Sequence, residues 1–203
     1  PDTPWSATMI GKIIAEETDI PPGVVHIVPS GDKAAVGEVL TGDPRVDMIS
    51  FTGSTGVGKR IMARGSETVK KVFLELGGKS ANIILDDADL DGAAMGGMMV
   101  CIHGGQGCAI TTRMLLPESR YDEGVEKLAG AFSMVPYGDP MDMGNIMGPL
   151  VNAAQYEKVL GMIERAKADG AKCLVGGGPA EQFDAGYFVQ PCLLYTSPSP
   201  RDS

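Results

Sequence analysis

Short apolar segments alternate with segments of helical spacing along most of the chain, and this alternation constrains the fold more than any other feature. The segments 48–51, 71–76 and 81–85 are mostly apolar rather than half polar. Strands that are buried on both faces have this composition, and strands that alternate with helices pair in parallel. The sequence therefore predicts an α/β fold with a parallel sheet covered on both faces. Helices are predicted over 7–17, 33–40, 55–63, 90–100, 121–132 and 152–169, and further strands over 24–28, 113–116 and 172–175.

The charge of the chain argues against several classes of partner. The chain has 203 residues, a formal net charge of −9 and 43% hydrophobic residues. An acidic chain lacks the basic face that phosphate backbones require, so we do not expect nucleic acid as a partner. We expect no membrane role either, because no apolar run approaches the roughly 20 residues of a spanning helix.

The four cysteines are expected to be reduced thiols. They stand at Cys101, Cys108, Cys173 and Cys192, a spacing that gives no disulfide framework and no paired metal motif. A zinc site built from Cys101, His103 and Cys108 is conceivable, but its spacing matches no usual ligand pattern, so no metal is expected. Reduced thiols favour a cytoplasmic location.

The two ends of the chain differ from the rest of the sequence. The chain starts with Pro1 rather than Met and shows no basic segment followed by an apolar one, so we expect a piece of a longer protein. Residues 192–203 follow no helix or strand pattern and closely resemble a translated sequencing-library adaptor. We expect a non-native tail there, with a natural disordered tail as the alternative.

Residues 51–59, with the sequence FTGSTGVGK, are predicted to join a strand to a helix through a glycine-rich turn. Such a junction directs backbone N–H groups and the positive end of the helix dipole towards an anion. The segment also matches the start of a P-loop, but Arg60 stands where that motif requires Ser or Thr to hold Mg²⁺. We favour nucleotide phosphates held by the backbone and Ser54. A P-loop NTPase and a purely structural turn are the alternatives.

Two further residues are presented next to glycines. Glu75 ends an apolar run ahead of Gly77 and Gly78, and Cys108 follows Gly107 just before a predicted strand. Taken alone, Glu75 could be a salt-bridged or capping carboxylate, and Cys108 could be a small buried hydrophobe. Taken together, a thiol and a carboxylate on separate glycine-rich turns are the components of a covalent acyl-transfer site.

Three segments resemble the signature segments of the NAD(P)-dependent aldehyde dehydrogenases. They are FTGSTGVGK at 51–59, LELGGKS at 74–80 and GQGCAITTR at 105–113, and the resemblance extends over 1–191. It implies a truncated Rossmann-like dinucleotide-binding domain over 1–77, followed by part of an α/β catalytic domain over 78–191.

The resemblance also implies a reaction, the oxidation of an aldehyde to a carboxylic acid with NAD(P)⁺. Cys108 would be the nucleophile that forms a thiohemiacetal and then a thioester. Glu75 would activate the water that hydrolyses the thioester. A base or a positive group near the thiol would help, because a free thiol is mostly protonated near neutrality.

By the same resemblance, the cofactor would be NAD, with NADP as the alternative because Pro1 stands where many NAD enzymes carry an acidic residue. The parent protein is expected to take a small aldehyde as substrate and to form a homo-oligomer, a dimer or a tetramer. The residues implied in cofactor binding are Gly37, Phe51, Gly53, Ser54, Leu76, Gly77, Gln155 and Lys158.

Some of the family's site residues fall outside this chain. The oxyanion Asn and a ribose-binding Lys would precede Pro1, and a ribose-binding Glu would follow Pro191, so we expect the isolated chain to be inactive. Three other classes stay open: a CoA-acylating relative, a catalytically inactive binding relative and a P-loop nucleotide-binding protein. A glutamate at Glu75 favours hydrolysis, because the CoA-acylating relatives typically lack one at that position.

Overall fold

The computed structural model describes residues 2–32 and 34–195. The chain divides into two compact units, one that ends at Gly77 and one that begins at Gly78. The predictions for Pro1, and for the part of the tail over 196–203, lie outside the described residues.

The described residues of the first unit form three α-helices, one 3₁₀ turn and one parallel pair of strands. The elements are α1 (Trp5–Glu17), α2 (Ala35–Gly42), β1 (Met48–Gly53), α3 (Thr55–Gly65) and β2 (Lys71–Leu76). β1 and β2 pair in register from Met48 opposite Lys71 to Gly53 opposite Leu76. Parallel strands need a crossover connection, and α3 provides it. The predictions for β2 and for the strand–turn–helix junction at β1 and α3 are confirmed.

Two glycines let α3 lie close to the strands. A Cβ at Gly58 would lie 2.9 Å from a methyl carbon of Leu76, and a Cβ at Gly65 would lie 3.2 Å from a methyl carbon of Val72. Both glycines are buried, together with Ile61 of the same helix. The apolar side chains of β2 that point towards α3 are thereby partly shielded from water, which stabilises the unit.

The other face of the β1–β2 pair is exposed, so the prediction of a sheet covered on both faces is wrong for the described residues. Met48 and Phe73, which point to this face, are 53% and 64% exposed. The burial of both strands alternates residue by residue. Successive side chains of a strand point to opposite faces, and in this unit only one face carries a helix.

Lys70 holds the loop before β1 against the start of β2. Its side chain is buried, and Nζ donates hydrogen bonds to the carbonyl oxygens of Asp43 and Val46, at 2.6 and 2.7 Å. Hydrogen bonds from the side chain and the backbone N–H of Arg45, and to a smaller extent the positive charges of Arg45 and Lys70, hold the pKa of the Asp43 carboxyl well below its usual range. The buried ammonium thus satisfies two carbonyl oxygens at the entry to the sheet.

The described residues of the second unit form three α-helices, two 3₁₀ segments and two separate pairs of strands. The elements are β3 (Ala81–Ile83), α4 (Leu90–Met98), β4 (Arg113–Leu115), α5 (Tyr121–Ser133), α6 (Ala153–Ala168), β5 (Lys172–Val175) and β6 (Leu193–Tyr195). β3 and β4 pair in parallel, whereas β5 and β6 are antiparallel. The buried core consists of Ala94, Cys101, Leu128, Ala131, Phe132, Val135, Met147, Leu150 and Val189.

Side-chain caps determine where helices of this unit begin. Asp89 accepts hydrogen bonds from the backbone N–H groups of Asp91 and Gly92, both at 3.1 Å, and starts α4. Asn152 accepts one from Gln155 N at 2.9 Å and starts α6. Such caps satisfy backbone donors that have no partner inside the helix. The helix predicted over 152–169 is confirmed, with both terminal residues acting as its caps.

Several predicted elements differ from the observed ones. Residues 24–28 form no strand, although four of the five are β-branched, because no neighbouring strand in the described part of the first unit offers them hydrogen bonds. The helix predicted over 33–40 lies at Ala35–Gly42. The helix predicted over 90–100 ends at Met98, and the 3₁₀ segment that follows it to Gly105 is interrupted by non-helical backbone at residues 102–104. β3 and β4 are shorter than predicted.

The expectation that residues 192–203 follow no strand pattern is wrong for Leu193–Tyr195. These residues form β6 and pair with β5, with a register irregularity between Cys173 and Val175. An exposed strand edge accepts any extended segment that can supply hydrogen bonds, whatever its side chains.

Within the described ranges, no helix is long and apolar enough to cross a membrane.

Replacing Lys70 by Met should destabilise the first unit. Two carbonyl oxygens would lose a charged donor, which corresponds to a loss of about 2–3 kcal/mol in the free energy of unfolding. Calorimetry of the complete protein tests this, with Lys71→Met as the matched control because Lys71 is exposed. Equal unfolding temperatures for the two variants would contradict the role of Lys70.

Candidate active site

The ends of β1 and β2 bring most of the predicted residues of the first unit to one edge. Thr52 lies opposite Glu75, and Gly53 lies opposite Leu76, in the parallel register. Ser54 follows β1 directly and Gly77 follows β2 directly. In open α/β sheets, ligands bind beyond the carboxyl ends of the strands.

Ser54 begins α3 and faces the open side of this edge. Its Oγ accepts a hydrogen bond from Val57 N at 3.4 Å, near the outer limit for such a bond. The hydroxyl proton is still free to be donated to an anion. A Cβ at Gly56 would meet no atom within 4 Å, so the first turn of α3 is open to a ligand. The arrangement fits a phosphate at the positive end of the helix dipole.

The ring of Phe51 lies against Gly53. A Cβ at Gly53 would lie 2.5 Å from Cζ of Phe51, closer than real Cβ contacts come. A side chain at position 53 would therefore require the ring of Phe51 to move. Phe51 packs against the turn between β1 and α3 from within the unit.

Gly37 lies on α2, and a Cβ there would meet no atom within 4 Å. Glu38 connects α2 to α3 through ion pairs to Arg60 at 3.1 Å and Arg64 at 2.8 Å. Surface ion pairs of this kind contribute little stability individually, and here both pairs join the same carboxylate of α2 to α3.

Glu75 is exposed at the end of β2. Among the residues that the structure describes, its carboxylate has no hydrogen-bond or ion-pair partner, so the interpretation of Glu75 as a capping or salt-bridged group is not supported. The carboxylate is free to accept a proton from water. It belongs to the first unit, whereas Cys108 belongs to the second.

Cys108 is exposed on a turn, which does not support its interpretation as a buried hydrophobe. The chain reaches this turn through three successive residues with positive φ, His103 at 55°, Gly104 at 63° and Gly105 at 74°. Few residues adopt this left-handed conformation, and it directs the chain sharply out of the helical segment. The thiol is thereby presented to solvent immediately after a packed segment.

Cys101 lies seven residues earlier, in a different environment. It belongs to the buried core, and burial raises the pKa of its thiol to about 11. A thiol of this kind is protonated near neutrality and is a poor nucleophile. Only Cys108 of these two thiols is placed to react.

The two cofactor-binding residues predicted in the second unit lie on α6. Gln155 and Lys158 are both exposed and belong to the first half of the helix. Gln155 contributes its backbone N–H to the Asn152 cap, so its position is fixed by the start of the helix. No group of three metal-ligating side chains occurs in residues 2–32 and 34–195. Gln106, to which the sequence motifs assign no role, is hydrogen-bonded to the segment that leads into α6.

Comparison with known proteins decides the family. Residues 1–201 match the model of the aldehyde dehydrogenase family. The chain belongs to this family. A 3-succinoylsemialdehyde-pyridine dehydrogenase of Pseudomonas sp is 46% identical over 194 residues, which are 94% of this chain and 40% of that protein. The chain thus spans about 40% of the length of the curated relatives it matches.

Solved aldehyde dehydrogenases show the same fold over this region. The Mycobacterium tuberculosis enzyme complexed with NAD⁺ superposes with a TM-score of 0.88 at 40% identity, over 95% of this chain and 39% of that chain. A mutant of aldehyde dehydrogenase C from Pseudomonas syringae, complexed with NAD⁺ and octanal, gives a TM-score of 0.92 at 34% identity, over 98% and 41%. The α/β fold of the chain therefore matches part of the aldehyde dehydrogenase structure. This membership favours a dinucleotide site over a P-loop at residues 53–59.

Thiol-specific alkylation should distinguish Cys108 from Cys101. Iodoacetamide reacts with thiolates, so we expect rapid modification of exposed Cys108. Cys101 should stay unmodified between about pH 7 and 9, because its thiol deprotonates only as the pH approaches its raised pKa of about 11. Peptide mapping by mass spectrometry measures both sites in one sample. Equal rates for the two cysteines would contradict the assignment.

Proposed function

We propose that the protein oxidises an aldehyde to a carboxylic acid with NAD(P)⁺, through a covalent intermediate on Cys108. The observation that supports this most directly is the exposure of Cys108 on a left-handed turn, inside a chain that matches the family over residues 1–201. The chain covers only part of its relatives, so the activity is proposed for the complete protein.

Cys108 carries the first step. Its thiolate adds to the aldehyde carbon, a C–S bond forms, and the carbonyl electron pair moves to oxygen to give a thiohemiacetal. The backbone N–H of Cys108 would donate to that oxygen, because a fixed donor stabilises charge as it develops. The chemistry that NAD⁺ supplies when bound is acceptance of a hydride from the carbon attached to Cys108. The product on the sulfur is a thioester.

Glu75 carries the second step. Its unpartnered carboxylate takes a proton from water as the water oxygen attacks the thioester carbonyl. The C–S bond then breaks, the carboxylic acid leaves, and Cys108 is regenerated. General bases of this type accelerate such steps by about 10²–10⁴-fold. The carboxylate favours release to water over release to a second thiol.

The first unit supplies the proposed cofactor site, and the second unit supplies the proposed catalytic domain. The residues fit a dinucleotide because the first turn of α3 is open and Ser54 Oγ has a proton to donate. We assign pyrophosphate to Gly53 and Ser54, and adenosine to the surface at Gly37. The nicotinamide side is assigned to Leu76, Gly77, Gln155 and Lys158. NAD is favoured, with NADP as the alternative, since similar structures hold NAD⁺.

We propose a small aldehyde as substrate and a homo-oligomer, a dimer or a tetramer, as the assembled form.

Replacing Cys108 by Ala in the complete protein should abolish aldehyde-dependent NADH formation, because no covalent intermediate can form. Cys101→Ala is the matched control, since it removes a buried thiol from the same segment and should retain most of the activity. NADH absorbance measures both variants. Equal loss of activity in the two variants would remove Cys108 from the nucleophile role.

Replacing Glu75 by Gln should separate the two steps. The first turnover should form NADH as a burst, whereas steady-state turnover should fall by about 10²-fold because the base that activates water is missing. Rapid-mixing measurements of NADH, with trapping of the acylated Cys108 peptide, resolve the two phases. A steady-state rate equal to that of the unchanged protein would exclude Glu75 as the base.

A further inference from the structure

We propose that Gln106 is a positioning residue that holds the Cys108 turn against the segment entering α6. This inference rests on the proposed function, because it assigns Gln106 to the placement of the nucleophile. Gln106 itself touches no reacting atom.

The side-chain amide of Gln106 bonds to both segments at once. Its Nε2 donates to His103 O at 2.8 Å and to Pro149 O at 3.4 Å. Its Oε1 accepts from Val151 N at 3.0 Å. Pro149 and Val151 follow Gln106 by 43 and 45 residues in the chain. One planar amide thus joins the nucleophile turn to a distant segment through donor and acceptor together. We call this set of bonds the Gln106 bridge.

The turn that the bridge holds needs external support. His103 is a non-glycine residue with a φ of 55°, a conformation that side chains disfavour and that persists only where the surroundings impose it. Its carbonyl oxygen accepts two hydrogen bonds from Gln106, one from Nε2 and one from the backbone N at 3.2 Å. These bonds fix the orientation of the His103 peptide and so the path of the chain towards Cys108.

Packing at the same place sets the distance between the two segments. A Cβ at Gly104 would lie 3.2 Å from Cδ2 of Leu150 and 3.6 Å from the carbonyl oxygen of Gly148. Leu150 is part of the buried core. The glycine turn therefore packs against a buried core residue, and the Gln106 bridge adds hydrogen bonds between the same two segments.

The bridge connects two parts of the proposed site. Cys108 stands two residues after Gln106, and Val151 stands directly before Asn152, which caps α6. α6 carries Gln155, a proposed contact on the nicotinamide side. Hydride transfer needs the carbon on Cys108 and the cofactor at a defined separation, and a displacement of about 1 Å can cost 10²-fold in rate. Loss of the bridge should therefore lower the rate of the chemical step more than substrate binding.

If the Gln106 bridge contributed only to stability, its removal would have a different effect. Its removal would lower the unfolding temperature and leave the catalytic constant of the remaining folded protein unchanged. The test must therefore read kcat, KM and pH dependence in addition to stability.

The experiment compares Gln106→Met with Gln182→Met in the complete protein. Methionine keeps the length of the side chain and removes its donors and acceptor. Gln182 is an exposed residue of the second unit that serves as the matched control. We expect Gln106→Met to lower kcat by about 10–100-fold and to change the KM for the aldehyde by less than about threefold. A kcat within about twofold of that of Gln182→Met would overturn the proposal.

A second variant keeps the test decisive if Gln106→Met does not fold. In Gln106→Glu, an ionised carboxylate would face the carbonyl oxygens of His103 and Pro149 and could donate to neither. The protonated carboxyl regains one donor. The ratio of its kcat to that of the unchanged protein should therefore rise as the pH falls through the pKa of the new carboxyl. A ratio that does not change with pH would overturn the proposal.

Failure of the proposed function gives a different result. If Cys108→Ala retains turnover, the nucleophile assignment fails, whatever Gln106 does. The effect of the Gln106 bridge on Cys108 is then tested without turnover, by measuring the rate of Cys108 alkylation by iodoacetamide across a pH series. A pH profile in Gln106→Met that differs from that of Gln182→Met supports the bridge, and coincident profiles overturn it.

Discussion

The close packing of α3 on β1 and β2 determines the geometry of the first unit. Gly58 and Gly65 bring the helix onto the side chains of Leu76 and Val72. Because the helix starts directly after β1 and lies along β2, its N-terminus and the ends of both strands meet at one edge. The packing of the helix on the strands therefore sets where the open first turn of α3 and the end of β2, which carries Glu75, lie at this edge.

The second unit places two cysteines of one short segment in opposite environments. A single short segment contributes Cys101 to the core and Cys108 to the surface, and only six residues lie between them. The left-handed run from His103 to Gly105 makes this change of environment possible. The same thiol chemistry is thereby suppressed at one position and available at the other, because burial disfavours the thiolate.

Much of this arrangement could be predicted from local sequence. β2 was predicted with its observed bounds because an apolar run ends at paired glycines, and α6 was predicted from its spacing and from Asn152 and Gly170 at its ends. The aldehyde dehydrogenase family followed from three motifs. These features depend on neighbouring residues, which a sequence displays directly.

The features that could not be predicted depend on distant partners. Residues 24–28 have the composition of a strand, but no strand in the described part of the first unit pairs with them. Leu193–Tyr195 pair with β5, although their sequence does not predict a strand. The exposed face at Phe73 reflects what packs on the sheet rather than what the strand contains. The role of Gln106 depends on Pro149 and Val151, more than 40 residues away, for which no local pattern exists.

The contact between Phe51 and Gly53 has a consequence for how the sequence can change over evolution. A side chain at position 53 would occupy the space that the ring of Phe51 fills. A larger residue at 53 requires either a movement of that ring or a smaller residue at position 51. Substitutions at the two positions are therefore coupled, and a change at one alters which residues are tolerated at the other.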